Sequence, residues 1–106
     1  MQAGTVISYS ENPERPYAEL MLHNGDRIQL SMDGAGVAIQ RLEPGIPPAA
    51  LFHADPDLTA RICAALLGDE TRPPPTPLRI LVAAVAQLGS ADEIRLAFEE
   101  AAAQAQ

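Results

Sequence analysis

The side chains of this sequence that could do acid–base, nucleophilic or metal chemistry are two histidines, one cysteine and fourteen carboxylates. Different kinds fall close together in one place. His53-Ala54-Asp55-Pro56-Asp57 sets an imidazole and two carboxylates within five residues. Hard cations take carboxylate oxygen and transition metals take imidazole, so His53, Asp55 and Asp57 form a candidate ligand or metal rim. The competing account is structural. Asp55 can cap a helix and Asp57 can complement its dipole. No recognised ligand spacing surrounds the group, so neither a metal nor another cofactor is expected.

Nucleophilic catalysis would need Cys63 or a serine beside His23 or His53. Cys63 falls in the middle of a helical pattern next to Ile62, away from any arginine cluster that would lower its pKa, and reads as a small buried hydrophobe. His23 falls in a turn. Adjacent carboxylates occur at Asp69-Glu70, Asp92-Glu93 and Glu99-Glu100, but neighbours on a helix point about 100° apart and do not converge on one substrate atom. The chain has no glycine-rich phosphate loop, Gly-x-Ser-x-Gly elbow or Cys-x-x-Cys pair. No catalytic residue is assigned.

Two binding motifs are matched loosely. Leu88-Gly89-Ser90 between two helices has the form of a helix-turn-helix, yet the second helix would present Asp92 and Glu93 where phosphates must approach. Pro74-Pro75-Thr76-Pro77-Leu78-Arg79 fits the Pro-x-x-Pro-x-Arg pattern of proline-rich ligands, although Pro77 and Arg79 already suit a helix start.

The elements that must position these residues fall into two halves. Up to Glu43 the apolar residues follow period two, and from Asp55 onward they follow helical spacing. Thr5 to Tyr9 is a short strand whose place in the sheet stays open. Tyr17–Leu22, Arg27–Met32 and Val37–Leu42 make an antiparallel meander. A three-residue turn, His23-Asn24-Gly25, pairs Leu22 with Asp26, Leu20 with Ile28 and Ala18 with Leu30. A type II′ turn, Gly34-Ala35, pairs Met32 with Val37 and Leu30 with Ile39. Both registers collect the apolar residues on one face, and a sheet apolar on one side needs a cover.

Three helices supply it. The first, 55–68, has Asp55 as its cap and Pro56 at its opening, exits at Gly68, and carries Leu58, Ile62, Ala65 and Leu66 on one face. The second, 77–88, opens at Thr76-Pro77, closes at Gly89, and is apolar nearly all round. The third, 90–104, starts at a Ser90/Glu93 capping box, turns Ile94, Ala97, Phe98 and Ala101 inward, and runs into an alanine-rich tail expected to fray. A proline-rich linker, 69–77, joins the first two helices in extended form. The expected class is α+β, with a meander of three or four strands (1–43) covered on one face by three helices, in one domain over 1–106.

Composition narrows the function. Seven basic residues, all arginine, against fourteen acids give a net charge of −7, which opposes nucleic acid and anionic membrane as partners. One cysteine makes no internal disulfide, and the first ten residues lack the order of a signal peptide, so a cytoplasmic location is expected. Apolar surplus points to a partner surface. Leu78, Leu81, Val82, Val85 and Leu96 are its candidate residues, on a protein partner or in a homodimer. The expected function is a noncatalytic protein-binding or adaptor module, self-associating or chaperone-like in form. The alternative is a small enzyme or ligand-binding domain with its pocket between sheet and helices.

Overall fold

In the computed structural model, which describes residues 4–67 and 76–105, five strands are followed by three helices. The strands are β1 (Gly4–Ser10), β2 (Tyr17–Leu22), β3 (Arg27–Asp33), β4 (Gly36–Glu43) and β5 (Ile46–Ala54). They form one antiparallel sheet in the order β1-β2-β3-β4-β5. The helices are α1 (Pro56–Leu67), α2 (Pro77–Val85) and α3 (Ala91–Ala105), and all three pack on the same face of the sheet. The class is α+β.

Both turns deduced from side-chain parity are present. Leu20 lies opposite Ile28 and Ala18 opposite Leu30. The Leu22 amide donates to the Asp26 carbonyl at 2.8 Å, and Gly25 sits at φ +95°. That left-handed backbone is open to glycine without penalty. At the second turn Gly34 has φ +65°, Ala35 stays at negative φ, and Met32 faces Val37. Ala18, Leu20, Leu22, Ile28, Leu30, Val37 and Ile39 are consequently all buried on the helix side. Each large aliphatic among them contributes about 1.5–3 kcal/mol relative to staying exposed.

The meander extends past residue 43, so five strands replace the expected three or four. Pro44-Gly45, with Gly45 at φ +75°, turns the chain into β5. Pro47 and Pro48 argue against a strand by sequence because they cannot donate to a ladder. An edge strand needs donors on one side only, and β5 is an edge. Its register slips twice against β4. Phe52 and Ala54 still face the core side, opposite Ile39 and Val37.

The helical layer holds four corrections. In α1 the buried residues are Thr59, Ile62 and Cys63, while Ala65 and Leu66 are exposed. The buried stripe is thus turned toward Thr59, whose hydroxyl donates to the Ala54 carbonyl at 3.3 Å and so tolerates burial. α2 ends at Val85, short of Leu88, because the Gln87 and Leu88 amides bond three residues back, to Ala84 and Val85. α3 stays helical to Ala105 rather than fraying, with Ala101 and Ala102 packed against the core. Finally, Leu78, Leu81, Val82 and Val85 are 0–7 % exposed and belong to the core, so they offer no surface to a partner. Leu96, 64 % exposed, is the one candidate interface residue that reaches solvent. Gly68 and linker residues 69–75 lie outside the described residues.

Candidate functional site

Asp55 and Asp57 serve the start of α1. The Asp55 carboxylate accepts the Leu58 amide at 2.8 Å, closing the helix N-terminus, and Asp57 pairs with Arg61 one turn on at 3.1 Å. His53 is exposed on the far side of the sheet from the helices, opposite Ala38 on β4. Adjacent residues of a strand project to opposite faces, so the chain places the imidazole away from the cap it precedes. No group of three His, Cys, Asp or Glu side chains close enough to share a metal ion occurs among the described residues. Cys63 is buried, and that burial pushes its thiol pKa up. It packs in the core cluster, where the thiolate is disfavoured.

Other carboxylates fasten the helical layer to the sheet at two clamps. In the first, Asp26 of the β2–β3 turn accepts the Ala91 amide at the start of α3 at 2.9 Å and the Asn24 side-chain amide at 2.9 Å, and pairs with Arg41 at 3.1 Å. These donors, the Ala91 amide first, hold its pKa below the usual carboxylate range. Ser90 and Glu93 complete the same helix start, accepting the Glu93 and Gly89 amides respectively. In the second clamp, Glu11 of the β1–β2 loop accepts the Thr76 hydroxyl at 2.9 Å and the Tyr9 hydroxyl at 2.9 Å, and pairs with Arg79 at 3.1 Å. The Thr76 and Tyr9 hydroxyls, followed by Arg79, lower the Glu11 pKa. Thr76 also caps α2, accepting the Arg79 amide. The residues of the proline-ligand pattern that are described therefore start a helix, and Arg79 is engaged by Glu11.

The apolar surface tells another story. Two adjoining hollows in the helical layer, about 420 and 270 Å³, share Leu66, Ala84 and Gln87 and form one groove. One end is lined by Leu67, Arg79, Ile80 and Ala83, and the other by Ile62, Leu88, Ala97, Phe98 and Ala101. Leu66 is 45 % exposed, a large apolar side chain left in water at the centre of the groove. Glu93 and Glu100, four before and three after Ala97, stand exposed along its α3 side. Phe98 is held from behind by Phe52, with ring centroids 5.5 Å apart. The sequence places the apolar surplus on α2 together with Leu96 and does not reveal that α2 and the turn after it, with α1 and α3, wall a groove. The signal that could have found it is the run of alanines at 83, 84, 97 and 101 beside Leu66 and Leu88, which leaves room between helices.

A more polar hollow of about 600 Å³ lies on the opposite face of the sheet, lined by Arg15, Tyr17, Gln29 and Ser31. Its Tyr17 hydroxyl is already bonded to Ser8 Oγ at 2.8 Å. His53, Asp55 and Asp57 line neither this hollow nor the groove. No helix among the described residues is long and apolar enough to cross a membrane. Compared with protein-family models, with curated proteins and with solved structures, the chain matches none.

Proposed function

We propose that this chain is a noncatalytic protein-binding module whose helical layer receives an amphipathic helix of another protein, apolar on the seated side and basic along its flanks. The observation that carries the reading is the continuous groove centred on Leu66, shared by three helices and mostly apolar in its lining, with Gln87 and, at one end, Arg79 as its polar members. A helix laid in such a groove gains affinity by burying apolar area at evenly spaced positions. Small side chains such as Ala83, Ala84, Ala97 and Ala101 let a second helix approach closely. The sign of the partner follows from charge. The chain carries −7, the one described arginine lining the groove, Arg79, is paired with Glu11, and Glu93 and Glu100 stand exposed on the side of α3 that Ala97 shares, so lysine or arginine flanks are attracted and acidic flanks repelled.

The test is calorimetric titration with two synthetic helical peptides that share a leucine/alanine face and carry either lysine or glutamate flanks. The lysine peptide binds the native chain and the glutamate peptide does not. Leu66→Arg, which replaces the central apolar side chain of the groove by a cation and suits the C-terminal dipole of α1, abolishes the heat. Equal binding of both peptides, or undiminished binding by Leu66→Arg, overturns the reading.

A further inference from the structure

Most arginines of the chain are spent internally. Arg27 pairs with Glu19, Arg41 with Asp26 and Glu43, Arg61 with Asp57, Arg79 with Glu11 and Arg95 with Asp92. Among the described residues Arg15 is the arginine whose guanidinium has no such partner, and it lines the polar hollow on the open face of the sheet with Tyr17, Gln29 and Ser31. The backbone holds these four in place. Asn12 closes a turn ahead of Arg15, its carbonyl accepting the Arg15 amide and its side-chain oxygen the Glu14 amide, each at 3.0 Å. Pro13 and Pro16 restrict φ on either side, and the Pro16 carbonyl accepts the Met32 amide at 3.1 Å, which ties the loop to β3. Tyr17 lies directly opposite Ser31 on the ladder, and Gln29 follows two residues away on the same face.

We propose that this hollow binds a small organic acid, with a single carboxylate on Arg15 and a hydroxyl-bearing body on Tyr17, Gln29 and Ser31. The lining selects that class. A guanidinium presents paired donors that match a carboxylate. Among the described residues no carboxylate lines the hollow. Glu19, opposite Gln29 on the ladder, is held by Arg27 at 2.8 Å, and Glu14, next to Arg15 in the chain, is not part of the lining. One cation balances one charge. On a body at −7 a phosphate dianion brings a second charge with no counterpart, so a monocarboxylate is favoured.

The other three side chains choose the body of the ligand. Two hydroxyls and an amide both donate and accept, and Tyr17, bonded to Ser8 Oγ at 2.8 Å, can accept that hydrogen and donate its own to a ligand. The hollow, about 600 Å³, is larger than either half of the groove and falls within the roughly 300–1,000 Å³ of small-molecule sites. It lies on the face of the sheet away from the groove, and each proposal stands or falls alone.

Amide chemical-shift titration with sodium glucuronate, a hydroxyl-bearing monocarboxylate, tests it, with glucose and inorganic phosphate as the neutral and dianionic controls. Arg15 is exposed, so its ion pair is weak and Kd is roughly 1 mM. Shifts are expected at Arg15, Tyr17, Gln29 and Ser31, with Leu66 and Ala84 unmoved, and both controls bind about tenfold more weakly or less. Arg15→Gln, at an exposed position, keeps the native melting temperature and weakens glucuronate binding by about tenfold or more. Gln29→Glu, an isosteric change that sets a carboxylate in the hollow, weakens it as much. Arg15→Lys keeps the charge but not the fork of donors and falls between Arg15→Gln and the native chain. No shift at about ten times the expected Kd, equal binding of glucose or phosphate, or undiminished binding by Arg15→Gln overturns the proposal.

Discussion

The clamps at Asp26 and Glu11 and the groove around Leu66 occupy the same helical layer but are opposite in kind. At the clamps, residue types able to do chemistry are tied up by internal partners: Asp26 by an amide donor from α3, a side-chain amide and Arg41, and Glu11 by two hydroxyls and Arg79. In the groove, residue types with no chemistry are left in water, Leu66 most of all. A satisfied carboxylate has little left to offer a substrate, whereas an uncovered leucine retains the free energy of burial. The difference ties Asp26 and Glu11 to the fold and is what supports the proposal that the groove serves recognition.

Substitutions can break or sharpen that contrast. Leu81, fully buried in the core, should show the largest effect: Leu81→Ala costs about 2–5 kcal/mol in urea unfolding through the cavity it leaves. Asp26→Ala comes next. It leaves the Ala91 amide without its acceptor, and Arg41 with Glu43 alone, and costs about 1–3 kcal/mol.

The same clamp gives a pH signature. Because the folded state depresses the Asp26 pKa, its contribution is complete above the ordinary value of 3.8 and drains away as pH falls from there through the folded value. Asp26→Asn should therefore flatten the acid limb of a stability–pH curve. An unchanged limb would remove Asp26 as a clamp. Asp55→Ala, which removes the α1 cap, costs about 1 kcal/mol, and calorimetric metal titration should not distinguish it from the native chain. A metal response lost in Asp55→Ala would return His53, Asp55 and Asp57 to the candidate sites. The smallest stability effect belongs to Leu66→Arg, within about 0.5 kcal/mol of native by thermal unfolding, although it abolishes peptide binding.

Much of this architecture can be read from local rules. The Gly25 and Gly34 turns follow from side-chain parity, because a one-residue slip would carry Leu20 and Ile28 to the wet face. Asp55, Thr76 and Ser90 announce helix starts by their types alone. What could not be read depends on tertiary placement. Pro47 and Pro48 disguise β5 because only an edge position excuses them, and the edge is known once the sheet is assembled. The α2 stripe Leu78, Leu81, Val82 and Val85 suits a core and a partner surface equally until the sheet is set beneath it, whereas Leu66 looks like core until α1 turns it outward. Asp26 shows no sign in its own neighbourhood that it caps a helix 65 residues away.

The central claim, that recognition belongs to the groove, is tested most directly by amide chemical-shift mapping of the isotope-labelled chain during titration with the lysine-flanked helical peptide. The account predicts shifts at Leu66, Ala84, Leu88 and Ala101, with Tyr17, Gln29 and Ser31 on the opposite face unmoved. Shifts confined to that opposite face, or none at millimolar peptide, would contradict it.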